Sequence, residues 1–166
     1  MDLRADQKII DVAAGNGNFT LAAARRWADV TSTDYVDRLL QRGRARAEAD
    51  GLNPKFQIAD AEELPFADGS FDAAASTFGV MFAPNQTKAA SEIMRVVRKG
   101  GTIGLANWTP TGFIGALLKV VSTYLPPPAG LASPVMWGTG MHLETLFGEE
   151  VEEMAISCKN FFFRYR

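Results

Sequence analysis

The chain has 166 residues, with 17 basic and 19 acidic side chains and a net charge of −2. Its length fits one domain, residues 1–166, with its own hydrophobic core. The charges are mixed along the sequence rather than gathered into a basic stripe, which argues against nucleic acid as a partner and favours a small molecule. Cys158 is the only cysteine, which excludes an internal disulfide and a cysteine-rich metal site and predicts a buried thiol.

Neither a signal peptide nor a membrane span is predicted. Charged residues occupy every second position from Asp2 through Arg4 and Asp6 to Lys8, where a signal peptide would be apolar, so a cytoplasmic location is predicted. The segment 100–143 is poor in charge, but prolines and glycines interrupt it too often for a transmembrane helix.

Short strand-like apolar runs alternate with longer helical ones along most of the chain. This alternation predicts an α/β fold with a Rossmann-like, doubly wound, mostly parallel sheet. The predicted strands are 8–13, 29–33, 55–59, 71–77 and 102–108. The predicted helices include 18–27, 36–50, 113–121 and 142–147. A further helix is predicted between the fourth and fifth strands; it ends at Gly100-Gly101, and its apolar face is Ala90, Ile93, Met94 and Val97. The tail 151–165 is predicted to be a further extended segment.

A glycine turn, Asp11-Val-Ala-Ala-Gly-Asn-Gly-Asn-Phe-Thr20, directly follows the first predicted strand. Gly15 and Gly17 permit a tight turn and remove side chains that would keep a ligand from the main chain. The helix that follows directs free N–H groups toward the same place. Ligands bind beside the first strand of such sheets, so the turn is a candidate binding site, although a glycine pair can equally be only a strand-to-helix turn.

Asp34 ends the second predicted strand, seventeen residues beyond Gly17. A carboxylate there can accept two hydrogen bonds from a ribose diol. The alternative is an N-cap for the helix that follows. We favour the ribose, because a glycine turn and an acid at these two strand ends belong to one binding geometry.

Asp60 and Ala61 follow the third predicted strand at the same edge of the sheet. The Asp60 carboxylate can accept from the exocyclic amine of adenine while the neighbouring backbone N–H donates to a ring nitrogen; the alternative is a solvated loop acid. Thr20 occupies the third glycine position of the G-x-G-x-x-G dinucleotide fingerprint, which weakens the case for a nicotinamide or flavin dinucleotide.

These motifs resemble those of class I S-adenosylmethionine-dependent methyltransferases, in particular the small-molecule branch that includes the ubiquinone and menaquinone biosynthesis methyltransferases. Residues 11–17 resemble the motif D-x-x-x-G-x-G, and residues 60–72 resemble D-A-E-x-L-P-F-x-D-x-S-F-D. Residues 98–101 resemble the R-P-G-G turn, with Lys99 in place of proline. The resemblance covers residues 8–108. It implies a Rossmann-like sheet that is truncated at both ends relative to the family, which usually has helices before the first strand and a final antiparallel strand pair.

The resemblance also implies the cofactor, S-adenosylmethionine. By it, the glycine turn would lie against the methionine and ribose portions, the acid after the second strand would bind the ribose, and the pair after the third strand would bind adenine. The end of the fourth strand would line the methionyl end. The implied cofactor-binding residues are Ala13, Gly15, Asn16, Gly17, Asp34, Tyr35, Asp60, Ala61, Ser76, Thr77 and Phe78. No catalytic residue and no metal ligand is predicted.

The predicted function is methyl transfer to a small, apolar metabolite. An alternative is a cofactor-binding fragment without independent catalysis, and a nicotinamide-dependent oxidoreductase is disfavoured. His142, the only histidine, is a candidate general base, but a solvated or capping role is favoured because no partner is evident. An apolar set could form an acceptor pocket, ordinary core or the surface of a homodimer. Its members are Phe78, Met81, Phe82, Trp108, Phe113, Trp137 and Met141.

Overall fold

The computed structural model describes residues 1–162 and Arg164. Five strands form one sheet in the order β3-β2-β1-β4-β5, and all four strand pairs are parallel. Strands β2 and β3 lie on one side of β1, and β4 and β5 lie on the other side. The strand order therefore reverses between β1 and β4, which is the topological switch point. The strands are β1 Lys8–Val12, β2 Asp29–Asp34, β3 Lys55–Ile58, β4 Phe71–Thr77 and β5 Val97–Ala106. The predicted α/β, Rossmann-like parallel sheet is confirmed.

Helices connect the successive strands as crossovers, except that a loop, residues 59–70, joins β3 to β4, and further helices follow β5. The helices are α1 Asn18–Ala24, α2 Asp37–Ala49, α3 Gln86–Val96, α4 Phe113–Tyr124 and α5 Gly140–Phe147. Two short 3-10 segments, Val80–Phe82 and Pro134–Gly138, precede α3 and α5. Within the described residues, no helix is long and apolar enough to cross a bilayer.

The core lies on both faces of the sheet, because successive strand residues point to opposite faces. Ile9 belongs to a smaller cluster with Ala23 of α1, whereas Ile10 belongs to the main cluster, which includes Ile93 of α3 and Trp137. All five side chains are fully buried. Helices therefore cover both faces, as a doubly wound sheet requires.

The boundary between α3 and β5 differs from the prediction. Val97 was predicted to continue the apolar helix face, but its backbone is extended and it pairs with Phe71 of β4. Gly101, predicted to end the helix, lies inside β5, where an added Cβ would come within 2.7 Å of the Asp72 carbonyl oxygen. The prediction was wrong because strand pairing with β4, a long-range contact, outweighs a helical spacing that continues by one more residue.

Two predictions for the carboxyl-terminal part also differ from the structure. Residues 151–162 form neither helix nor strand, so this part of the tail adds no strand to the sheet. The last residue predicted to be extended, Tyr165, lies outside the described residues. Cys158 is exposed, and the predicted buried thiol is wrong because the segment around it does not pack on the core.

Candidate functional site

The glycine turn forms a left-handed stretch of backbone at the end of β1. Ala13, Gly15 and Gly17 all have positive φ, at 53°, 58° and 80°. The Ala14 N–H donates to the Thr33 carbonyl of β2 (2.8 Å), which ties the start of the turn to the sheet. A Cβ added to Gly15 would meet nothing within 4 Å. The space outside Gly15 is therefore open, and a ligand can reach the main chain there.

The Asp34 carboxylate lies against this turn. Its Oδ2 accepts from the Gly15 N–H (2.8 Å) and its Oδ1 accepts from the Val36 N–H (2.9 Å), and the residue is 5% exposed. Helix α2 begins at Asp37 with Val36 as its N-cap, so Asp34 does not cap the helix in the way that the alternative proposed. A carboxylate has about four acceptor positions, so both oxygens keep capacity for a further hydrogen bond.

Asp60 lies at the same edge, just beyond the end of β3. The Ala59 N–H donates to the Asp34 carbonyl (3.1 Å), which extends the pairing of β2 with β3 to the residue before Asp60. The Asp60 side chain is exposed, and its Oδ1 accepts from the Glu62 N–H (2.9 Å). Ala61 is half-buried against the main core cluster. The structure thus brings the ends of β1, β2 and β3 to one edge, as predicted.

The end of β4 is fixed to β1 by Ser76 and Gly79. The buried Ser76 hydroxyl donates to the Val12 carbonyl (2.7 Å) and accepts from the Val80 N–H (3.0 Å), so this side chain is engaged within the protein. A Cβ added to Gly79 would lie 2.0 Å from the Ala13 carbonyl oxygen. The loop after β4 therefore packs directly on the glycine turn. Apart from its position after a strand, nothing in the sequence pointed to Gly79.

Two aromatic rings lie beyond the ends of β4 and β5. Phe78 has a positive φ of 61° and stacks on Trp108 with ring centroids 4.0 Å apart and planes 10° apart. The Phe78 N–H donates to the Ala106 carbonyl (2.8 Å), which sets the position of the first ring beside β5. Thr77, the last residue of β4, is exposed next to this stack.

A buried polar network explains why threonine replaces the third glycine of the fingerprint. Asp11 Oδ2 accepts from both the backbone N–H (3.0 Å) and the hydroxyl (2.6 Å) of Thr20, and the Thr20 hydroxyl also contacts the Ser32 hydroxyl (3.0 Å). Asp11 Oδ1 is buried without a hydrogen-bond partner among the described residues. Burial raises the pKa of Asp11 to about 7, against the opposing effect of the Thr20 hydrogen bonds. Thr20 thus anchors α1 to β1.

Helix α2 supports the turn from outside. Arg46 donates to the Asn16 carbonyl (2.8 Å) and to the Asn18 side chain (2.9 Å). Tyr35, which follows Asp34, is 75% exposed. Arg46 was missed by the sequence reasoning, because an exposed arginine on a helix carries no local signal of a partner 30 residues away.

The remaining candidates separate into core and surface. His142 Nε2 lies 2.7 Å from Gln86 Oε1, and Gln86 is itself 5% exposed, so the histidine has a partner that the sequence did not reveal and links α5 to α3. In the predicted apolar set, Trp137 is fully buried in the core, whereas Met141 is 81% exposed. These residues therefore do not form one pocket.

Comparisons with known proteins agree with this architecture. The methyltransferase domain family matches residues 10–105. An uncharacterized protein of Mycobacterium bovis is 45% identical over 153 residues, which are 92% of this chain and 56% of that protein. The demethylmenaquinone methyltransferase of Thermus thermophilus is 36% identical over 135 residues, which are 78% of this chain and 61% of that protein.

A solved structure shows the same fold. The S-adenosylmethionine-dependent methyltransferase of Aquifex aeolicus matches with a TM-score of 0.67 and 18% identity, over 87% of this chain and 73% of that chain.

The chain spans about half the length of the first curated relatives it matches, 56% for the Mycobacterium bovis protein. The family match confirms the resemblance drawn from residues 11–17 and 60–72, and with it S-adenosylmethionine as the cofactor. The chain belongs to the methyltransferase domain family, with the class I, S-adenosylmethionine-dependent fold.

Proposed function

We propose that this chain binds S-adenosylmethionine across the ends of β1, β2 and β3 and transfers its methyl group to a small, apolar acceptor. One observation carries the proposal: the hydrogen bond of 2.8 Å from the Gly15 N–H to Asp34 Oδ2. It places the acid of the second strand against the glycine turn of the first, where a ribose could meet both.

The residues present fit a nucleoside cofactor. Asp34 keeps acceptor capacity for the two ribose hydroxyls, and the open space outside Gly15 leaves room for the chain that joins the ribose to the methionine. Asp60 would accept from the adenine amine while the Ala61 N–H donates to the ring. Asn16, Gly17 and Tyr35 would contact the cofactor at the same edge of the sheet.

The end of β4 would face the methionyl portion. Thr77 is exposed there, whereas Ser76, whose hydroxyl is engaged by Val12 and Val80, would contribute through its main chain. The sulfonium of the cofactor supplies an activated methyl group. The task of this chain is therefore to orient an acceptor in line with that group and to exclude water.

The Phe78–Trp108 stack supports an apolar acceptor. It places two parallel aromatic rings at the edge formed by β4 and β5, next to the glycine turn. Such a wall suits a flat or lipid-like molecule better than a charged one. No general base is assigned, because a sulfonium methyl needs only a well-placed nucleophile.

The alternative is a cofactor-binding unit without independent catalysis. The exposed apolar side chains of α4 favour this alternative if a further element has to cover them before an acceptor can bind. A nicotinamide dinucleotide is disfavoured, because the Thr20 network occupies the position where the fingerprint requires a third glycine.

Titration calorimetry with S-adenosylmethionine, S-adenosylhomocysteine and NAD tests the binding proposal. We expect the first two ligands to bind, and Asp34→Asn to weaken both on the order of 100-fold by removing charged hydrogen bonds to the ribose. The matched control is Asp37→Asn, a half-exposed acid three residues later; this variant should bind as the wild type does. Heat from NAD alone would contradict the proposal.

A separate assay tests transfer. We expect labelled methyl groups to move to members of a panel of phenols, quinones and fatty acids. Tight cofactor binding with no turnover on any of them would favour the non-catalytic alternative. A homodimer and the absence of nucleic-acid binding remain predictions, which sedimentation and a mobility-shift assay would test.

A further inference from the structure

The loop between β3 and β4 carries the proposed adenine-binding pair, yet residues 59–70 form no helix and no long strand. Asp60 is exposed at its start. A loop of this kind holds a side chain in one place only if other groups fix its backbone.

Arg95, on the last turn of α3, satisfies several backbone groups of this loop. Its guanidinium donates to the Leu64 carbonyl (2.9 Å), the Phe66 carbonyl (2.7 Å) and the Asp68 carboxylate (2.8 Å). The Arg95 carbonyl accepts from the Gly69 N–H (2.9 Å). Arg95 thus forms hydrogen bonds with four residues of the loop, at positions 64, 66, 68 and 69.

Glu92, one turn earlier on α3, completes the arrangement. It accepts two hydrogen bonds from the Arg95 guanidinium, both 2.7 Å, and one from the Leu64 N–H, also 2.7 Å. The hydrogen bonds from Arg95 hold the pKa of Glu92 below its usual value. Both backbone polar groups of Leu64, a buried core residue, are therefore bound by the Glu92–Arg95 pair.

The fixed residues are coupled to Asp60 through a short turn. The Glu63 N–H donates to the Asp60 carbonyl (3.1 Å), and the Glu62 N–H donates to Asp60 Oδ1 (2.9 Å). Glu62 also accepts from the Asn85 N–H at the start of α3 (2.6 Å). Asp60 is thus held between the end of β3 on one side and the contacts of Leu64 with α3 on the other.

We propose that Glu92 and Arg95 are positioning residues for adenine recognition, which they achieve by fixing Leu64 and thereby the carboxylate of Asp60. The inference rests on the proposed function, because it assumes that Asp60 meets the adenine amine. Both residues would act through the loop backbone, since their side-chain hydrogen bonds are to residues 64–68 and to each other. Lysine cannot replace Arg95, since a single ammonium cannot reach the three acceptors that the planar guanidinium serves together.

The test compares two ligands that differ only at the base. S-inosylhomocysteine carries an oxygen where S-adenosylhomocysteine carries the amine, and a proton on the adjacent ring nitrogen. The ratio of their affinities therefore reports the contacts of the base with Asp60 and with the Ala61 N–H together. By calorimetry we expect the wild type to prefer the adenosyl ligand. Arg95→Lys should reduce that preference roughly tenfold, the factor that one lost hydrogen bond commonly costs. Glu92→Gln, which keeps an acceptor for Leu64, should lose less.

Arg98→Lys is the matched control. Arg98 donates to the Asp72 carboxylate (2.7 Å) in an exposed ion pair nearby. Among the described residues, its side chain forms no hydrogen bond with the loop residues 60–69. We expect this variant to keep the wild-type ratio. If Arg95 had only a structural role, Arg95→Lys would lower stability but leave the affinity ratio of the folded protein unchanged. That result would overturn the proposal.

Hydrogen exchange on the wild type gives a second test that needs no substitution. Coupling between sites is reciprocal, so a base that is recognised through Asp60 should in turn slow exchange of the Leu64 and Gly69 amides. We expect slower exchange with the adenosyl than with the inosyl ligand at equal saturation. Equal protection would contradict the inference alone, whereas failure of the wild type to bind either ligand would contradict the proposed function.

Discussion

Helices α3 and α4 are close in length, at 11 and 12 residues, and α4 is the more apolar of the two, yet α3 is the more buried. Five residues of α3 are buried, and of α4 only Gly115 is. In α4 the exposed apolar residues form one stripe with helical spacing, namely Phe113, Leu117, Val120, Val121 and Tyr124.

The difference shows that apolar composition does not by itself place a helix in the core. Helix α3 crosses from β4 to β5 and so packs on the strands that it joins, whereas α4 follows the last strand of the sheet. Stability should therefore depend on α3 and the sheet, and the surface of α4 is available for other contacts. Four experiments examine whether tolerance to substitution follows this division.

The largest effect is expected from Ile93→Ala in α3. Ile93 is fully buried in the main core cluster, so its truncation removes buried methyl groups and leaves a cavity. The free energy of unfolding should fall by about 2–5 kcal/mol. Urea denaturation followed by circular dichroism measures it. A loss below about 1 kcal/mol would show that α3 is not packed as described.

Gly79→Ala should have the next largest effect. Its Cβ would lie 2.0 Å from the Ala13 carbonyl oxygen, so the loop after β4 must move away from the glycine turn. We expect a loss of about 1–3 kcal/mol in the free energy of unfolding, together with weaker binding of S-adenosylmethionine by calorimetry.

Gly140→Ala is the control for this substitution, at the first residue of α5. Its Cβ would meet only Ile156 Cδ1, at an ordinary 3.5 Å. The free energy of unfolding should stay the same or rise slightly, because alanine reduces the freedom of the unfolded chain. Equal losses in both variants would contradict a specific role for Gly79.

Asp11 should make stability depend on pH. Burial raises its folded pKa from 3.8 to about 7, so between these values the folded protein binds more protons than the unfolded one. The contribution of this group to the free energy of unfolding therefore falls as pH rises, by about 1.4 kcal/mol per pH unit at most, and levels off above pH 7. Asp11→Asn should abolish this slope in urea denaturation from pH 4 to 8.

Asp72→Asn serves as the opposite case. The hydrogen bond from Arg98 lowers the pKa of Asp72, so its stabilising effect is present above the unfolded pKa and is lost as pH falls. The two variants should differ from the wild type with slopes of opposite sign, for Asp11→Asn between about pH 4 and 7 and for Asp72→Asn below about pH 4, so the denaturation series for Asp72→Asn extends below pH 4. A wild-type profile that matches Asp11→Asn would show that Asp11 ionises as a solvated acid does.

The smallest effect is expected from Leu117→Ala in α4. Leu117 is 45% exposed, so truncation removes little buried area and the free energy of unfolding should change by less than about 0.5 kcal/mol. The same denaturation assay compares it directly with Ile93→Ala. A loss as large as that of Ile93→Ala would mean that α4 is covered in solution.

Local signals made much of the fold predictable. The strand at 71–77 has the predicted bounds, and the glycine turn, the acid at the end of β2 and the pair after β3 lie where glycine spacing and strand alternation placed them. The boundary at Val97 was not predictable, because its pairing with Phe71 competes with a helical spacing that the sequence also satisfies. Cys158 was misjudged for a similar reason, since residue type says little about a segment that fails to pack.

The partners of the site residues were the least predictable part. His142 and Gln86 are 56 positions apart, and Arg95 contacts Leu64 and Phe66 across about 30 positions. None of these side chains has a neighbour in sequence that would reveal its partner. Each contact exists only because α3 packs beside the loop after β3 and the start of α5.

The sequence alone determined the fold class, the glycine turn and the strand ends that carry acids, because periodicity and turn chemistry act between residues that are close along the chain. Only the tertiary structure decided that Thr20 binds Asp11 in place of a third glycine, that Asp34 meets Gly15, and that α3 rather than α4 is buried. Hydrogen-bond partners and burial depend on residues tens of positions away, whose approach is set by how the helices pack on the sheet.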